Sequence, residues 1–563
     1  MTGRSQPGVS DGFMLAIIGS GLAVAAIVWL WGGLAGALFG RGWPPSGPEH
    51  VLSVLYRLPS HLPDPANAWP QPARARLPGA SATYAALALV LAGGLAVAGV
   101  ARRAAAAVTA SRPGHGARWA AGAELRTLRG KGHRDGRLVL GKVGARRLYA
   151  EQRHALVAFG PPQSGKSAGL AVPALLEWTG SAVASSIKTD LLSATLARRR
   201  ALGEVMVFDP FNLAGTGTHG WSPLGQAGTW DGALEVAWRL AGAAELASKS
   251  VEGGDFWTVA AEQRLAPLLY TAAKTGAGIE ALVRWAYGQG ARELDAALAQ
   301  MTGEARDEEE LAEAHAAYDA IRAFEAQADR TRSSIEATAQ SLLRAYRFTR
   351  VTRSARCCEI TAERLLDSSA TLYLVGDARA SKLLRPIFLA LLGEIVDRAY
   401  ERATLTGGRL ERPLLLCLDE AGNVAPLPNL GEIASTAPSH NIQLLSIFHD
   451  LAQARSRYGR QAETVINSHR ARMLLPGVAD LDTLRYFAGL VGEAEVPEVT
   501  RTVGAGGTTR SSGRRRRPLL AAEALRQLPE GHALLIYGRL APTRLRLRMW
   551  FRDRRLRALA AGS

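Results

Sequence analysis

Two unbroken apolar runs open the chain. Residues 14–39 hold 26 positions without a charge, and residues 84–101 hold 18 more before Arg102-Arg103 ends the run. A helix of about 20 apolar residues spans the hydrocarbon core of a bilayer, so both runs predict transmembrane helices. A signal peptide is the competing reading of the first, which is long for one and lacks a compact basic start. A buried core helix competes for the second. Gly32, Gly36 and Gly40 fall four residues apart, a spacing that lets helices approach closely. Between the runs, residues 41–81 carry Pro44, Pro45, Pro48, Pro59, Pro63, Pro65, Pro70, Pro72 and Pro78, which predicts an extended external loop.

From about Glu124 the pattern changes to short β-rich runs alternating with helical stretches, as in an α/β domain. Buried strands are predicted at 155–159, 182–187, 205–208, 371–375, 414–418, 443–448, 472–475 and 533–537. Residues 231–363 contain no comparable run and long helical stretches, including 307–346, so they form an inserted all-α domain. Residues 497–518, rich in Gly, Thr and Arg, are expected to be a mobile loop. The resulting division is a membrane anchor over 1–103, an α/β domain over 104–230 and 364–563, and the helical insert.

Composition adds little to this division. At 563 residues the chain is too long for one ordinary domain, and its hydrophobic content of 47% is that of a globular protein. A net charge of +17 suits a polyanionic partner. Yet 60 of the 67 basic residues are Arg and only 7 are Lys, a bias that a GC-rich genome also produces. Three Cys in such a length argue for a reducing compartment rather than a disulfide framework, and Cys357-Cys358 has no neighbours at metal-ligand spacing.

The chemistry begins where the strand at 155–159 runs into Gly160-Pro161-Pro162-Gln163-Ser164-Gly165-Lys166-Ser167. This is the P-loop spacing in its strand–loop–helix setting. Gly160 and Gly165 let the backbone wrap a phosphate with N–H groups at a helix N-terminus. Lys166 brings positive charge to the β- and γ-phosphates, and Ser167 brings a hydroxyl to Mg²⁺. Residues 414–418 form an apolar strand that ends in Asp419-Glu420. Asp419 is the second candidate for Mg²⁺, and Glu420 the candidate to polarise an attacking water. Together these residues predict a site for ATP with Mg²⁺. The nucleotide motifs follow the second apolar run, and ATP is cytosolic, which places the α/β domain in the cytoplasm. The positive-inside rule is nearly silent on orientation.

Taken with several shorter motifs, the chain resembles the TraG/TraD class of type IV secretion coupling proteins, a branch of the FtsK/HerA group of RecA-like motor ATPases. The resemblance rests on the order of Val172-Pro173-Ala174-Leu175-Leu176-Glu177-Trp178, Val207-Phe208-Asp209-Pro210-Phe211, Trp221-Ser222-Pro223-Leu224 and Gly254-Asp255-Phe256-Trp257. Asp419-Glu420-Ala421-Gly422-Asn423, Pro426-Leu427-Pro428-Asn429-Leu430, Asp450-Leu451-Ala452-Gln453 and Tyr458-Gly459 follow. It implies a RecA-like motor with an all-α cap and a two-helix stem in the bacterial inner membrane, assembled as a homo-hexamer. Such an ATPase recruits relaxase-bound single-stranded DNA or protein effectors and drives them into a type IV secretion channel.

Three features depart from the family pattern. His449 stands where a γ-phosphate-sensing Gln is usual; a neutral imidazole can donate one hydrogen bond there, or be a His tolerated at a strand end. Ser186-Ile187-Lys188 lacks the acidic residue often found before Ile-Lys. An Arg usual before the sensor strand is missing in Thr436-Ala437-Pro438-Ser439-His440, which leaves the trans-acting arginine of a ring ATPase unassigned; Arg379, Arg385, Arg470 and Arg472 all lie near strand ends. Arg514-Arg515-Arg516-Arg517 is either a contact for DNA phosphates or a solvated charge cluster, and no aromatics are interleaved with it. Two rival readings stay open: an FtsK-like pump for double-stranded DNA, and a non-hydrolysing receptor that keeps the fold.

Overall fold

The computed structural model describes residues 11–111, 116–130, 136–248, 254–504 and 507–562. The chain divides into two compact units, Met1–Gly114 and His115–Ser563.

In the first unit, a helix over Asp11–Phe39 runs against another over Ala80–Ser111. Ala80–Arg102 is long and apolar enough to cross a membrane, and only 6% of its most apolar window is buried within the protein. The segment between the helices is not the extended loop expected from its prolines. It folds into short helical turns, Pro48–His50, Val51–Arg57, Leu58–His61, Pro65–Ala68 and Arg74–Arg76. Proline suits the first turn of a helix, where its missing N–H has no partner to lose. Trp69 from this segment packs edge-on to Trp31, with ring centroids 5.1 Å apart, and the Trp31 indole donates to the Thr83 carbonyl at 2.6 Å. The glycine ladder serves the same segment. A methyl at Gly32 would strike the Trp69 ring, one at Gly36 the Gly42 carbonyl, and one at Gly40 the Arg76 carbonyl.

Among the described residues the second unit has thirteen strands. In chain order they are β1 (Val139–Val143), β2 (Arg146–Tyr149), β3 (Leu156–Phe159), β4 (Ser181–Ser186), β5 (Val205–Phe208), β6 (Thr371–Val375) and β7 (Leu414–Leu418). After them come β8 (Ile442–Phe448), β9 (Ala471–Leu474), β10 (Glu493–Gly504), β11 (Gly507–Pro518), β12 (His532–Tyr537) and β13 (Thr543–Arg546). Eleven form one sheet in the order β2-β1-β13-β12-β9-β3-β8-β7-β4-β6-β5. From β9 to β5 all neighbours are parallel; from β9 to β2 they are antiparallel. Parallel strands are covered on both faces, which is why they read as continuous apolar runs. Alternate residues serve two cores. Val157, Phe159, Leu414, Leu416 and Phe448 face one side, and Leu156, Ala158, Leu415, Cys417 and Ile447 the other.

The described residues of 230–366 form helices joined by short connections, without a strand among them. The helical stretch expected over 307–346 consists of two helices, Glu308–Glu325 and Asp329–Leu343, ended by a 3₁₀ turn at Arg344–Arg347. These helices share one apolar core with the first face of the sheet through Leu265, Leu269, Trp285 and Leu342. The side chains of Asp255, Phe256 and Trp257 lie outside the described residues.

The expected mobile loop at 497–518 is instead a two-stranded antiparallel hairpin of β10 and β11, separate from the main sheet. Cross-strand pairs join Arg514 to Glu495 at 3.3 Å and Arg515 to Glu498 at 3.4 Å.

Candidate nucleotide site

Parallel order alone brings the separated motifs together. β8 lies between β3, which feeds the Gly-rich loop, and β7, which ends in the two acids. The C-terminal ends of all three strands therefore open on one edge, where ligands of open α/β sheets bind.

The loop keeps the shape its glycines permit. Gly165 has φ +87° and Gln163 φ +64°, both left-handed. A methyl at Gly160 would press on Ser164 and Leu475, so that position also needs its missing side chain. After Lys166 the chain enters a wide π-type turn over Ser167–Ala171 before the regular helix Val172–Glu177.

The catalytic and metal-binding residues expected in the site meet one another. Ser167 Oγ donates to Asp419 Oδ2 at 2.5 Å, across 252 residues of sequence. Lys166 Nζ lies 3.1 Å from Glu420 Oε1 and 3.5 Å from the Gly160 carbonyl. His449 Nε2 stands 2.9 Å from the same Glu420 oxygen, at ion-pairing distance but outside the alignment of a good hydrogen bond. Asn423 donates to Glu420 Oε2 at 2.7 Å. Glu420 has φ +64°, a strained setting for a residue with a side chain, and such strain collects at functional sites.

The two acids are tuned in opposite directions. Burial pushes Asp419 up to about 6, against the pull of the Ser167 hydroxyl and the Lys166 charge. Burial also works to raise Glu420, but His449, Lys166 and Asn423 together outweigh it and bring that carboxyl down to about 2. Asp419 Oδ1 and Ser164 Oγ are buried without a partner. Mg²⁺ keeps most of its waters and takes one or two protein oxygens beside phosphate, so the Ser167 hydroxyl and Asp419 are a sufficient donor pair. Pro162 and Gln163 are exposed on the loop, and Pro161 before them is half-buried.

Residues outside the expected set complete the arrangement. Gln453 Oε1 accepts from the His449 backbone N–H at 2.8 Å, and its side chain packs on Gly422. Arg457 donates to the Gly422 carbonyl at 2.6 Å, which ties the helix Leu451–Tyr458 to the loop after β7. Gln453 ends the motif Asp450-Leu451-Ala452-Gln453, but nothing local in the sequence points to this contact. Asp209 is fully buried and accepts from the Ala214 N–H at 2.7 Å, an organiser of its own loop. Of the four arginines considered for a trans-acting role, Arg472 donates to the Ile466 and Asn467 carbonyls and Arg470 packs on Gly538. Arg385 is half-buried, and burial and nearby Arg457 lower its pKa; Arg379 is exposed at the start of the helix Ala378–Leu405.

Residues 121–562 match the family described as type IV secretory system, conjugative DNA transfer. A conjugal transfer protein TraG of Escherichia coli is 24% identical over 404 residues, which is 66% of this chain and 61% of that protein. The chain thus spans about three fifths of the length of this curated relative. The bacterial conjugative coupling protein TrwBdeltaN70, in its unbound form, superimposes with a TM-score of 0.57 at 19% identity, over 77% of this chain and 93% of its own. The plasmid coupling protein TrwB in complex with ADP and Mg²⁺ does so with a TM-score of 0.55 at 18% identity, over 77% and 94%. At these identities the structural likeness is one of fold.

Proposed function

The chain belongs to the family of type IV secretory system conjugative DNA transfer proteins, and from that premise we propose that it is a membrane-anchored, ATP-driven coupling protein. In this reading it recruits relaxase-bound single-stranded DNA, or a protein substrate, and passes it to a type IV secretion channel. One observation carries the nucleotide part. Strands distant in sequence set Ser167 against Asp419 and Lys166 against Glu420, at hydrogen-bonding and ion-pairing distance.

The residues suit their roles. Bound ATP with Mg²⁺ supplies the phosphoanhydride bond whose hydrolysis drives a motor cycle. Residues 160–167 would hold the phosphates by backbone N–H groups and the Lys166 charge, with Ser167 and Asp419 on the metal. Glu420 is ionised at neutral pH and can accept a proton from water. An anion that draws Lys166 off Glu420 raises that carboxyl toward the range useful for a base. His449, beside Glu420 at the end of β8, is placed to report on the same position. Helices Asp11–Phe39 and Ala80–Ser111 would form the stem in the inner membrane, with the second unit in the cytoplasm as part of a homo-hexamer.

A second reading has its own support. Lys166 and His449 hold Glu420 at about 2, which makes it a weak base and suits a receptor that binds nucleotide without turnover. Steady-state hydrolysis by the full chain in detergent, with Mg²⁺ and single-stranded DNA, separates the two. The motor predicts turnover that Lys166→Ala and Glu420→Gln each lower at least about 100-fold, the scale of a lost electrostatic donor for the first and of a lost acid–base group for the second. His449→Gln, which keeps one donor, should stay within a few-fold of wild type. Absence of turnover in the assembled, DNA-bound protein would establish the receptor instead.

A further inference from the structure

The segment after β13 crosses the phosphate loop. Leu547 lies 3.1 Å from where a methyl on Gly169 would sit, and a methyl on Gly165 would collide with Met549 Cε. The Trp550 N–H donates to the Ala168 carbonyl at 3.0 Å. That carbonyl is free because the wide turn sends the Val172 N–H to Ser167 instead. Met549 thus roofs the glycine that must bend around phosphate, and Trp550 is fastened beside the first residue past Ser167.

A buried charge network holds this segment in place. Arg548, 2% exposed, donates to Glu177 at 2.7 Å and to Asp553 at 3.0 Å, and Lys142 reaches Asp553 at 3.1 Å. Glu177 closes the helix that the phosphate loop begins. Burying such a network is a poor way to gain stability, but it fixes geometry well. Two aromatic rings follow. Trp550 is half-buried, Phe551 is 46% exposed, and their centroids lie 6.1 Å apart at 87°.

A nucleotide whose β-phosphate sits in residues 160–167 extends its α-phosphate, sugar and base past the start of the following helix, away from Lys166 and Glu420. That direction is the side on which Trp550 is bonded to Ala168. We propose that the turn at 549–551 is the nucleobase shelf of the site, with the base against Trp550 and Phe551. An aromatic surface grips any purine by its face, so the shelf adds affinity with little choice between adenine and guanine. This inference rests on the nucleotide reading of residues 160–167.

The test compares two ligands on the full chain in detergent by calorimetry with Mg²⁺: the imido analogue of ATP, and inorganic tripolyphosphate, which has no base. Wild type should bind the nucleotide more tightly. Trp550→Ala and the exposed-site variant Phe551→Ala should each weaken the nucleotide at least about fivefold, the lower end for one stacked base. Both variants should leave tripolyphosphate within twofold, and Lys166→Ala should weaken both ligands. The nucleotide, and not tripolyphosphate, should change the Trp550 fluorescence that Trp550→Phe removes. Equal losses for both ligands would mean the turn only props the loop, and unchanged nucleotide binding in both variants would remove the shelf. Wild type binding neither ligand would overturn the nucleotide reading and the shelf together.

Discussion

Single residues show how far environment, rather than residue type, sets chemistry in this protein. Glu420 and Glu394 are both buried glutamates with opposite fates. Glu420 gains cationic and amide neighbours and falls; Glu394 is pushed up to about 7, by burial first, with the Trp221 indole and Arg239 and Arg398 opposing and Glu363 adding to the rise. The Trp221 N–H reaches Glu394 Oε2 at 2.9 Å, so a family motif turns out to cap a buried acid. Because its folded pKa is raised, Glu394 contributes stability that is full below about 4.5 and lost as pH rises through about 7. The loss amounts to roughly 3 kcal/mol at most. Glu394→Gln keeps an acceptor for Trp221 and cannot ionise. Its melting temperature should therefore gain on wild type between pH 5 and pH 8, and parallel melting curves across that range would show that Glu394 does not titrate there.

Among elements, the strands found from sequence were those buried on both faces. β5, β6 and β7 begin and end where their apolar runs do, and β3, β4, β8, β9 and β12 differ by a residue or so. β1, β2 and β13 were not legible. They lie in the antiparallel part, and β13, Thr543-Arg544-Leu545-Arg546, buries only every second residue, a pattern too short to stand out. The hairpin escaped for a related reason. Among the described side chains its strands add nothing to either main core, no apolar alternation marks them, and cross-strand bonds and charge pairs hold the two strands together. Excising residues 496–515 and closing with an Asn-Gly turn should accordingly move the melting temperature by less than about 2 °C, consistent with the small effects of changes away from cores. Glu495 and Glu498 already occupy Arg514 and Arg515. The salt dependence of DNA binding should therefore change by less than one phosphate contact; a change of about two would return these arginines to the DNA.

For the molecule as a whole, the two units predict separate behaviour. Each has its own core: Trp31, Val54 and Trp69 in the first, and the two faces of the sheet in the second. A fragment of residues 116–562 should stay monodisperse without detergent, melt cooperatively and keep the nucleotide affinity of the full chain, whereas the full chain should require detergent. Size-exclusion chromatography with a thermal melt checks this. A fragment that aggregates or melts without a transition would show that the second unit depends on the first.

By itself the sequence determined what is local: a helix over Ala80–Arg102 long and apolar enough for a membrane, strands that bury both faces, and a strand–loop–helix with the spacing of a phosphate loop. Periodicity tells which face of an element is buried but not what covers it. The tertiary structure alone decided the partners. It set Ser167 on Asp419, placed His449 and Lys166 on one oxygen of Glu420, filled the glycine ladder with Trp69 and a loop backbone, and laid Met549 over Gly165. These contacts join positions tens to hundreds of residues apart. Strand order and chain crossing bring them together, and neither leaves a mark in the local pattern.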